Sequence, residues 1–166
     1  MTVKANALDG NFVINFGPDD KGNIRKEETE IAKAVGNWMK INGAAEYGTH
    51  HSPLEKQDWG YSTAKDSLIY LSVFNQPLNG LLRVKVPKSK TKGMVTVISK
   101  ANFLSTGEPA KIKGNGKLGT FYRDKSGSSY FDFIIPEKFR KSGIPFVIVI
   151  QLKEFDQKEA YQDALT

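Results

Sequence analysis

The stretch from Gly10 to Gly48 constrains the fold of this chain more than any other. Its first part, Asn11–Phe16 (NFVINF), is rich in Val, Ile and Phe and stops at Gly17-Pro18, a pattern that predicts a buried strand. The next residues, Asp19–Asn23, are turn formers, with a glycine free to adopt positive φ. We therefore expect a strand and a tight turn at the start of this stretch.

An amphipathic helix follows the turn. From about Arg25 to Ile41 the apolar residues recur at helical spacing, and Asn42-Gly43 marks the stop; the apolar positions are Ile31, Ala32, Val35, Trp38 and Met39. A buried strand followed by a helix is typical of a (β/α) unit, but one such unit cannot cover both faces of its own strand. We therefore expect this first quarter to be the end of a larger unit, whose beginning would precede Met1.

The residues of this stretch carry a resemblance to a known family. The segments GNFVINFGPDDKGNI, EETEIAKAVGNWMKINGAAEYGT and WGYSTAKDSLIYLSVF are similar, in order and spacing, to the C-terminal part of α-L-fucosidases of glycoside hydrolase family 29. The resemblance is dense over about the first seventy positions and only strand-like beyond them. The matching residues are Asn11, Asn15, Gly17, Pro18, Gly22, Ile24, Gly36, Trp38, Asn42, Gly43, Tyr47, Gly48 and Thr49.

The resemblance implies a parent enzyme that removes terminal L-fucose with retention, using two carboxyl groups about 5 Å apart. In such an enzyme both carboxyl groups would lie upstream of Met1, so we expect no catalytic residue in this chain and no fucoside hydrolysis by the chain alone. Its partners would be fucosylated glycans, bound through the parent enzyme. The resemblance also implies a periplasmic or secreted parent, although the chain itself leaves the compartment open.

After Asp58 the pattern changes from helical to alternating. Seven to nine short strands with turns every eight to twelve residues predict a mainly β fold, an antiparallel β-sandwich. We predict three parts: residues 1–48 as the terminal strand–helix unit of a (β/α) barrel, 49–153 as the sandwich, and 154–166 as a polar tail, frayed or in a short helix. The predicted strands are 59–63, 68–74, 81–86, 94–99, 103–104, 110–113, 118–122, 130–135 and 146–152.

Composition excludes several classes of function. The chain has no cysteine, which excludes a disulfide framework, a thiolate metal site and a cysteine nucleophile. The net charge is +6, but the basic residues are scattered, and the cluster Lys85–Lys92 has no interleaved aromatic residues, so we expect a solvated loop and no nucleic-acid partner. No apolar run approaches the roughly 20 residues that span a bilayer, so we expect no membrane partner.

Three constellations are candidates for binding. His50 and His51 are the only histidines; adjacent residues on an extended segment point to opposite sides, which disfavours a chelating pair, and each reads either as a sugar contact or as an ordinary loop histidine. Trp59 and Tyr61, with Tyr122 and Tyr130, would either stack on a pyranose or fill the core. An exposed coplanar pair would favour stacking.

Asp19-Asp20, the third constellation, lies where barrels place their active sites, but also suits a turn before a helix. The spacing of DDKGN does not fit a calcium loop, so we expect no metal and no cofactor.

Three functions stay open at this point. The first is a non-catalytic structural or accessory domain, a C-terminal fragment of an α-L-fucosidase-like glycoside hydrolase. The second is a standalone carbohydrate-binding β-sandwich module, and the third is an inactive truncated gene product. Without barrel neighbours, the strand at Asn11–Phe16 would leave an apolar edge, so we expect it either to repack onto the sandwich or to form a homodimer with a second copy.

Overall fold

The computed structural model describes residues 2–114, 116, 118–119 and 121–165, with the side chains of residues 164 and 165 left out. The helices are α1 (Thr2–Ala7), α2 (Lys26–Asn42), α3 (Glu137–Arg140) and α4 (Gln157–Leu165), with a 3₁₀ helix at Gly43–Ala45. The strands are β1 (His50–His51), β2 (Gly60–Lys65), β3 (Leu68–Val73), β4 (Leu81–Val86), β5 (Met94–Phe103), β6 (Phe121–Arg123), β7 (Ser129–Ile134) and β8 (Phe146–Asp156).

The strands form two antiparallel sheets, which confirms the predicted mainly β fold. The large sheet has the order β1-β2-β3-β8-β5, and the small sheet has the order β4-β7-β6. The inward side chains of both sheets make one core, in which the largest fully buried residues include Phe103, Phe131 and Phe133. Burial of such side chains is the main stabilising contribution to a sandwich of this size.

The second face of the large sheet is covered in part by α2 and the 3₁₀ helix. Along β8, Phe146 and Ile148 belong to the core between the sheets, while Val147 belongs to a smaller cluster with Ala45 and Tyr70. Successive residues of β8 thus face opposite sides of the large sheet, as the alternation of a strand requires. Trp38 of α2 packs against the smaller cluster, so the molecule has three layers: small sheet, large sheet and helix.

The prediction of a strand at Asn11–Phe16 was wrong. The structure has no strand in this segment, because a strand requires hydrogen bonds to a neighbouring strand and none lies beside it among the described residues. The segment has not repacked onto the sandwich either, since Val13 is 85% and Ile14 is 47% exposed. Pairing with a second copy stays a prediction, as does the division of the chain into three parts.

Two further segments differ from the predicted strands. Residues 110–113 form only an isolated bridge, from Ile112 to Phe133, while the predicted strand at 94–99 continues to Phe103 as one long strand, β5, and Leu104 lies in the turn after it. Residues 154–156 extend β8, residues 157–165 of the predicted tail form α4, and residue 166 lies outside the described residues. This helix packs on the core: Ala160 is fully buried, and the Tyr161 ring stacks on Phe121 with centroids 5.4 Å apart.

Gln57 joins the segment before β2 to the edge of the small sheet. Its side-chain amide donates to the Lys85 carbonyl oxygen (2.9 Å) and accepts from the Lys85 backbone N–H (2.7 Å). It also accepts a hydrogen bond from the indole N–H of Trp59 (3.2 Å). One side chain therefore satisfies both backbone groups of a residue on β4.

Candidate functional site

The predicted sugar contacts His50 and His51 form β1, at the edge of the large sheet. They pair with Ala64 and Thr63, and both are exposed. The backbone N–H of His51 donates to Asp9 Oδ1 (2.7 Å), and its ring Nδ1 is hydrogen-bonded to the Ala7 carbonyl oxygen (3.0 Å). These bonds tie β1 to the end of α1, so His51 has a structural role in addition to the one predicted for it.

The four predicted aromatic residues lie in different environments. Trp59 is 6% exposed and belongs to the core. Tyr61 is half-buried, with its ring edge against Phe74 and the Lys56 ammonium over its ring at 5.7 Å. Tyr122, in contrast, is 63% exposed, and its ring lies 5.7 Å from that of Tyr130. Sequence periodicity alone could not separate these cases, because strand aromatics on either face have the same spacing.

The predicted residues do not converge on one hollow. A hollow of about 530 Å³ borders Trp59, but neither histidine nor Tyr61 lines it. Sugar binding by His50, His51, Trp59 and Tyr61 therefore stays a prediction. In the described part of the chain, no group of three or more His, Cys, Asp or Glu residues is placed to hold a metal ion. Nor does any described helix have the length and apolar character to cross a membrane.

Asp19 stabilises the turn before α2, which was one of the two interpretations of Asp19-Asp20. Its carboxylate accepts the backbone N–H groups of Asn23 (2.7 Å) and Lys21 (2.9 Å). The hydrogen bond from the Asn23 backbone is the main cause that lowers the pKa of Asp19. The carboxylate is thus engaged in closing the turn that precedes α2.

Six large apolar side chains in the first part of the chain are exposed, as is Ile144 before β8. We call these seven residues the helix-side surface: Phe12, Val13, Ile14, Ile31, Val35, Ile41 and Ile144. Within it, Ile31 is 62% and Val35 39% exposed, so two of the apolar positions predicted for α2 lack a covering element in the described structure. Beside them a hollow of about 360 Å³ is lined by Val35, Trp38, Met39, Ile144 and Pro145, among others. Large exposed apolar side chains in this number make the helix-side surface a candidate interaction site.

A buried acid lies in the turn that follows the 3₁₀ helix. Glu46, 7% exposed, follows the 3₁₀ helix, and its Oε1 has no hydrogen-bond partner among the described residues. The Asn6 side-chain amide donates to the Glu46 carbonyl oxygen (2.7 Å) and to Thr49 Oγ1 (2.8 Å), which joins α1 to this turn. Burial raises the pKa of Glu46 to about 7, and the Asn6 amide only partly opposes this effect.

The free energy of unfolding should therefore depend on pH through Glu46. The unfolded chain releases this proton near pH 4.5 and the folded chain near pH 7, so the contribution is fully present below pH 4.5 and is lost as pH rises towards 7. We expect urea unfolding to show a loss of up to about 3 kcal/mol across this window, and Glu46→Gln to remove that loss. An unchanged slope in the variant would contradict the assignment to Glu46.

The known proteins that this chain resembles are α-L-fucosidases. The family model described as Alpha-L-fucosidase matches residues 1–44. The tissue α-L-fucosidase of Mus musculus is 32% identical over 107 residues, which cover 62% of this chain and 24% of that protein. The Homo sapiens tissue α-L-fucosidase is 31% identical over 99 residues, which cover 58% of this chain and 21% of that protein.

Solved structures extend the similarity to the whole fold. The crystal structure of a GH29 α-L-fucosidase from Bacteroides thetaiotaomicron is 36% identical, with a TM-score of 0.70, over 99% of this chain and 32% of that chain. This chain thus spans about a third of the solved relative and about a quarter of the mouse one. By sequence and by fold, the chain is similar to the C-terminal part of α-L-fucosidases of glycoside hydrolase family 29.

Proposed function

We propose that this chain is a non-catalytic, structural part of an α-L-fucosidase-like glycoside hydrolase. Its role is to dock on the rest of such an enzyme through the helix-side surface and to support the barrel that carries the chemistry. The parent activity is the retaining hydrolysis of terminal L-fucose, and the parent's substrates are fucosylated glycans.

One observation carries this proposal: the exposed apolar side chains coincide with the family match. Phe12, Val13, Ile14, Ile31, Val35 and Ile41 all lie within residues 1–44. The relatives are three to four times as long as the part that this chain covers. Burial of apolar surface contributes about 25 cal/mol per Å², so packing of the barrel of such an enzyme against these side chains would be favourable.

The chain alone should not hydrolyse fucosides. We expect the purified protein to release no nitrophenol from 4-nitrophenyl α-L-fucopyranoside above the buffer rate. A retaining mechanism requires a nucleophile and an acid/base about 5 Å apart, and we propose that the parent enzyme carries both outside this chain. Turnover that copurifies with the folded protein and stays proportional to its concentration would overturn the non-catalytic role.

The docking role can be tested in a chimera. Two variants of the Bacteroides thetaiotaomicron enzyme are compared. The shortened enzyme lacks the part that this chain matches, and the chimera carries this chain in place of that part. We expect the shortened enzyme to be inactive and the chimera to be active, and Ile31→Asp with Val35→Asp to abolish activity in the chimera. Since both residues are exposed here, the same pair should change the free energy of unfolding of the isolated chain by less than about 1 kcal/mol.

Lys33→Asp, on the same helix, is the matched control for added negative charge and should leave the chimera active. An active chimera with both Ile31→Asp and Val35→Asp would contradict docking through this surface. The second candidate function is a carbohydrate-binding β-sandwich module, which the exposed ring of Tyr122 favours.

A further inference from the structure

The outward face of the small sheet has an unusual set of side chains. Alternation along β4, β7 and β6 buries Val84, Phe131 and Phe121 and turns their neighbours outward. The outward neighbours, which we call the outer face, are Arg83, Lys85, Tyr122, Tyr130 and Asp132. α2 covers the opposite side of the large sheet, so the outer face and the helix-side surface lie on opposite sides of the sandwich.

Arg83 and Asp132 form a bidentate ion pair on this face. Arg83 Nε donates to Asp132 Oδ1 (2.7 Å) and Arg83 Nη2 to Asp132 Oδ2 (2.8 Å). The backbone groups of Lys85 point away from β7, towards Gln57, so the pairs Lys85–Tyr130 and Arg83–Asp132 are of the non-hydrogen-bonded type, in which side chains lie closer. Donation from Arg83 lowers the pKa of Asp132, which keeps the carboxylate ionised.

The ion pair retains hydrogen-bonding capacity that faces solvent. A guanidinium has five N–H donors, of which the pair uses two, and a carboxylate has about four acceptor sites. The Arg83 side chain is 65% exposed and that of Asp132 is 22% exposed. A ligand with adjacent hydroxyl groups could therefore donate to Asp132 and accept from Arg83 without breaking the pair.

Two tyrosine rings complete the face beside the ion pair. The Tyr130 hydroxyl donates to Asp124 Oδ2 (2.8 Å), and Asp124 also accepts from the Ser126 hydroxyl and from the Ser128 backbone N–H (3.1 Å). Tyr130 is thereby fixed at its tip. The Tyr122 ring leans on it at an interplanar angle of 42°, with its own surface 63% exposed. Tyr122 thus presents an exposed apolar ring face that rests on a tyrosine held by hydrogen bonds.

The described residues bound a hollow of about 410 Å³ on this face, lined in part by Arg83, Lys113, Tyr122, Tyr130 and Asp132. A neighbouring hollow of about 530 Å³ shares Arg83 and Tyr130. Sites for small molecules occupy roughly 300–1,000 Å³, so each hollow has room for one sugar ring. Arg83 pairs with Asp132 and Lys85 Nζ with Glu55 Oε2 (2.9 Å), so two of the three basic side chains named here are compensated, which is little positive charge for a polyanion.

We propose that the outer face binds a neutral pyranose of a glycan, with the C–H face of the sugar on Tyr122 and vicinal hydroxyl groups on Arg83 and Asp132. An aromatic platform next to a carboxylate–guanidinium pair matches such a ring, which is apolar on one face and carries donors and acceptors at its rim. This site gives the second candidate function a location. It does not depend on the docking role, because it lies on the other side of the sandwich.

The test is a titration of ¹⁵N-labelled full chain with L-fucose, and separately with D-galactose and 2′-fucosyllactose, followed by NMR. For a shallow site we expect a Kd of about 1 mM with at least one of these probes, with amide shifts centred on residues 83, 122, 130 and 132. Tyr122→Ala should weaken binding at least tenfold, or about 1.4 kcal/mol, while the dispersed spectrum shows that the chain remains folded. Asp132→Asn should also weaken binding.

Two tyrosines elsewhere provide controls. Tyr47→Ala removes an equally exposed ring, 68% exposed, from the turn after α2 and should leave affinity unchanged. Tyr61→Ala tests the site predicted from sequence. No shifts at the outer face up to saturating millimolar sugar would overturn the proposal. So would binding that Tyr122→Ala leaves intact or that Tyr61→Ala removes. None of these outcomes bears on the chimera, so failure here is distinct from failure of the docking role.

Discussion

Gly60→Ala should destabilise the whole sandwich. A Cβ at this position would lie 2.1 Å from the Ser72 carbonyl oxygen on β3 and 3.3 Å from the Phe74 backbone nitrogen, and the glycine has φ +155°. Because the nearest atom belongs to the backbone of a paired strand, β2 and β3 must separate to accept the methyl group. We expect the free energy of unfolding to fall by about 3 kcal/mol or more.

Thermal unfolding followed by circular dichroism would measure this effect. For a chain of this length, 3 kcal/mol corresponds to a decrease in Tm of about 6–12 °C. Gly36→Ala, in the middle of α2, is the matched control: nothing lies within 4 Å of its Cβ position. We expect that variant to gain about 0.5–1 kcal/mol, since alanine favours the helix. Equal Tm values for Gly60→Ala and the parent sequence would show that the strands relax without cost.

Trp38→Ala should release α2 from the sandwich while the sheets persist. The indole N–H of Trp38 donates to the Pro145 carbonyl oxygen (2.7 Å), and the ring packs on the cluster of Ala45, Tyr70 and Val147. Trp38 is the residue of α2 that packs against this cluster, while the buried residue of the helix, Asn42, is polar. Replacing a Trp by Ala in such a contact costs about 3–5 kcal/mol.

A helix of this length is marginal in water without tertiary contacts, so the released segment should unfold. We expect a loss of ellipticity at 222 nm and fast amide exchange over Lys26–Asn42, with slow exchange retained in β3 and β8. Trp38→Phe is the control: it keeps an aromatic ring but loses the N–H donor, and should cost about 1 kcal/mol. Protection of α2 that survives Trp38→Ala would assign the anchoring to other contacts.

Sequence periodicity predicted the elements that depend on local pattern. The helix expected from about Arg25 to Ile41 runs from Lys26 to Asn42, and the alternation in 81–86 matches β4. The prediction of a strand at Asn11–Phe16 failed because the residue pattern indicates a preference for extended backbone, and a strand forms only where a neighbouring strand pairs with it. The same limit applies to Ile31 and Val35: periodicity identifies an apolar face, but not whether this chain covers it.

The outer face could not be predicted as a site. Arg83 and Asp132 are 49 positions apart, and their contact depends on the register between β4 and β7, which no local pattern encodes. Tyr122 and Tyr130 were recognisable as candidate stacking residues. Whether their rings lie in the core or on the surface depends on which face of the small sheet turns inward, and the sequence does not give that face. Opposite charges at outward positions of two strands were the one signal available in the sequence.

The side-chain amide of Gln57 limits strand pairing between copies of this protein at the edge of the small sheet. β4 is an edge strand of the small sheet, and an edge strand offers unpaired N–H and C=O groups to any extended chain. At Lys85 both groups are already taken by Gln57, so this side chain acts as a one-residue mimic of a further strand. Lateral growth of the small sheet by addition of a strand from another copy is blocked at that point. A single amide thus removes one residue of this edge from strand pairing, an effect that Lys or Pro has on the edges of many other sheets.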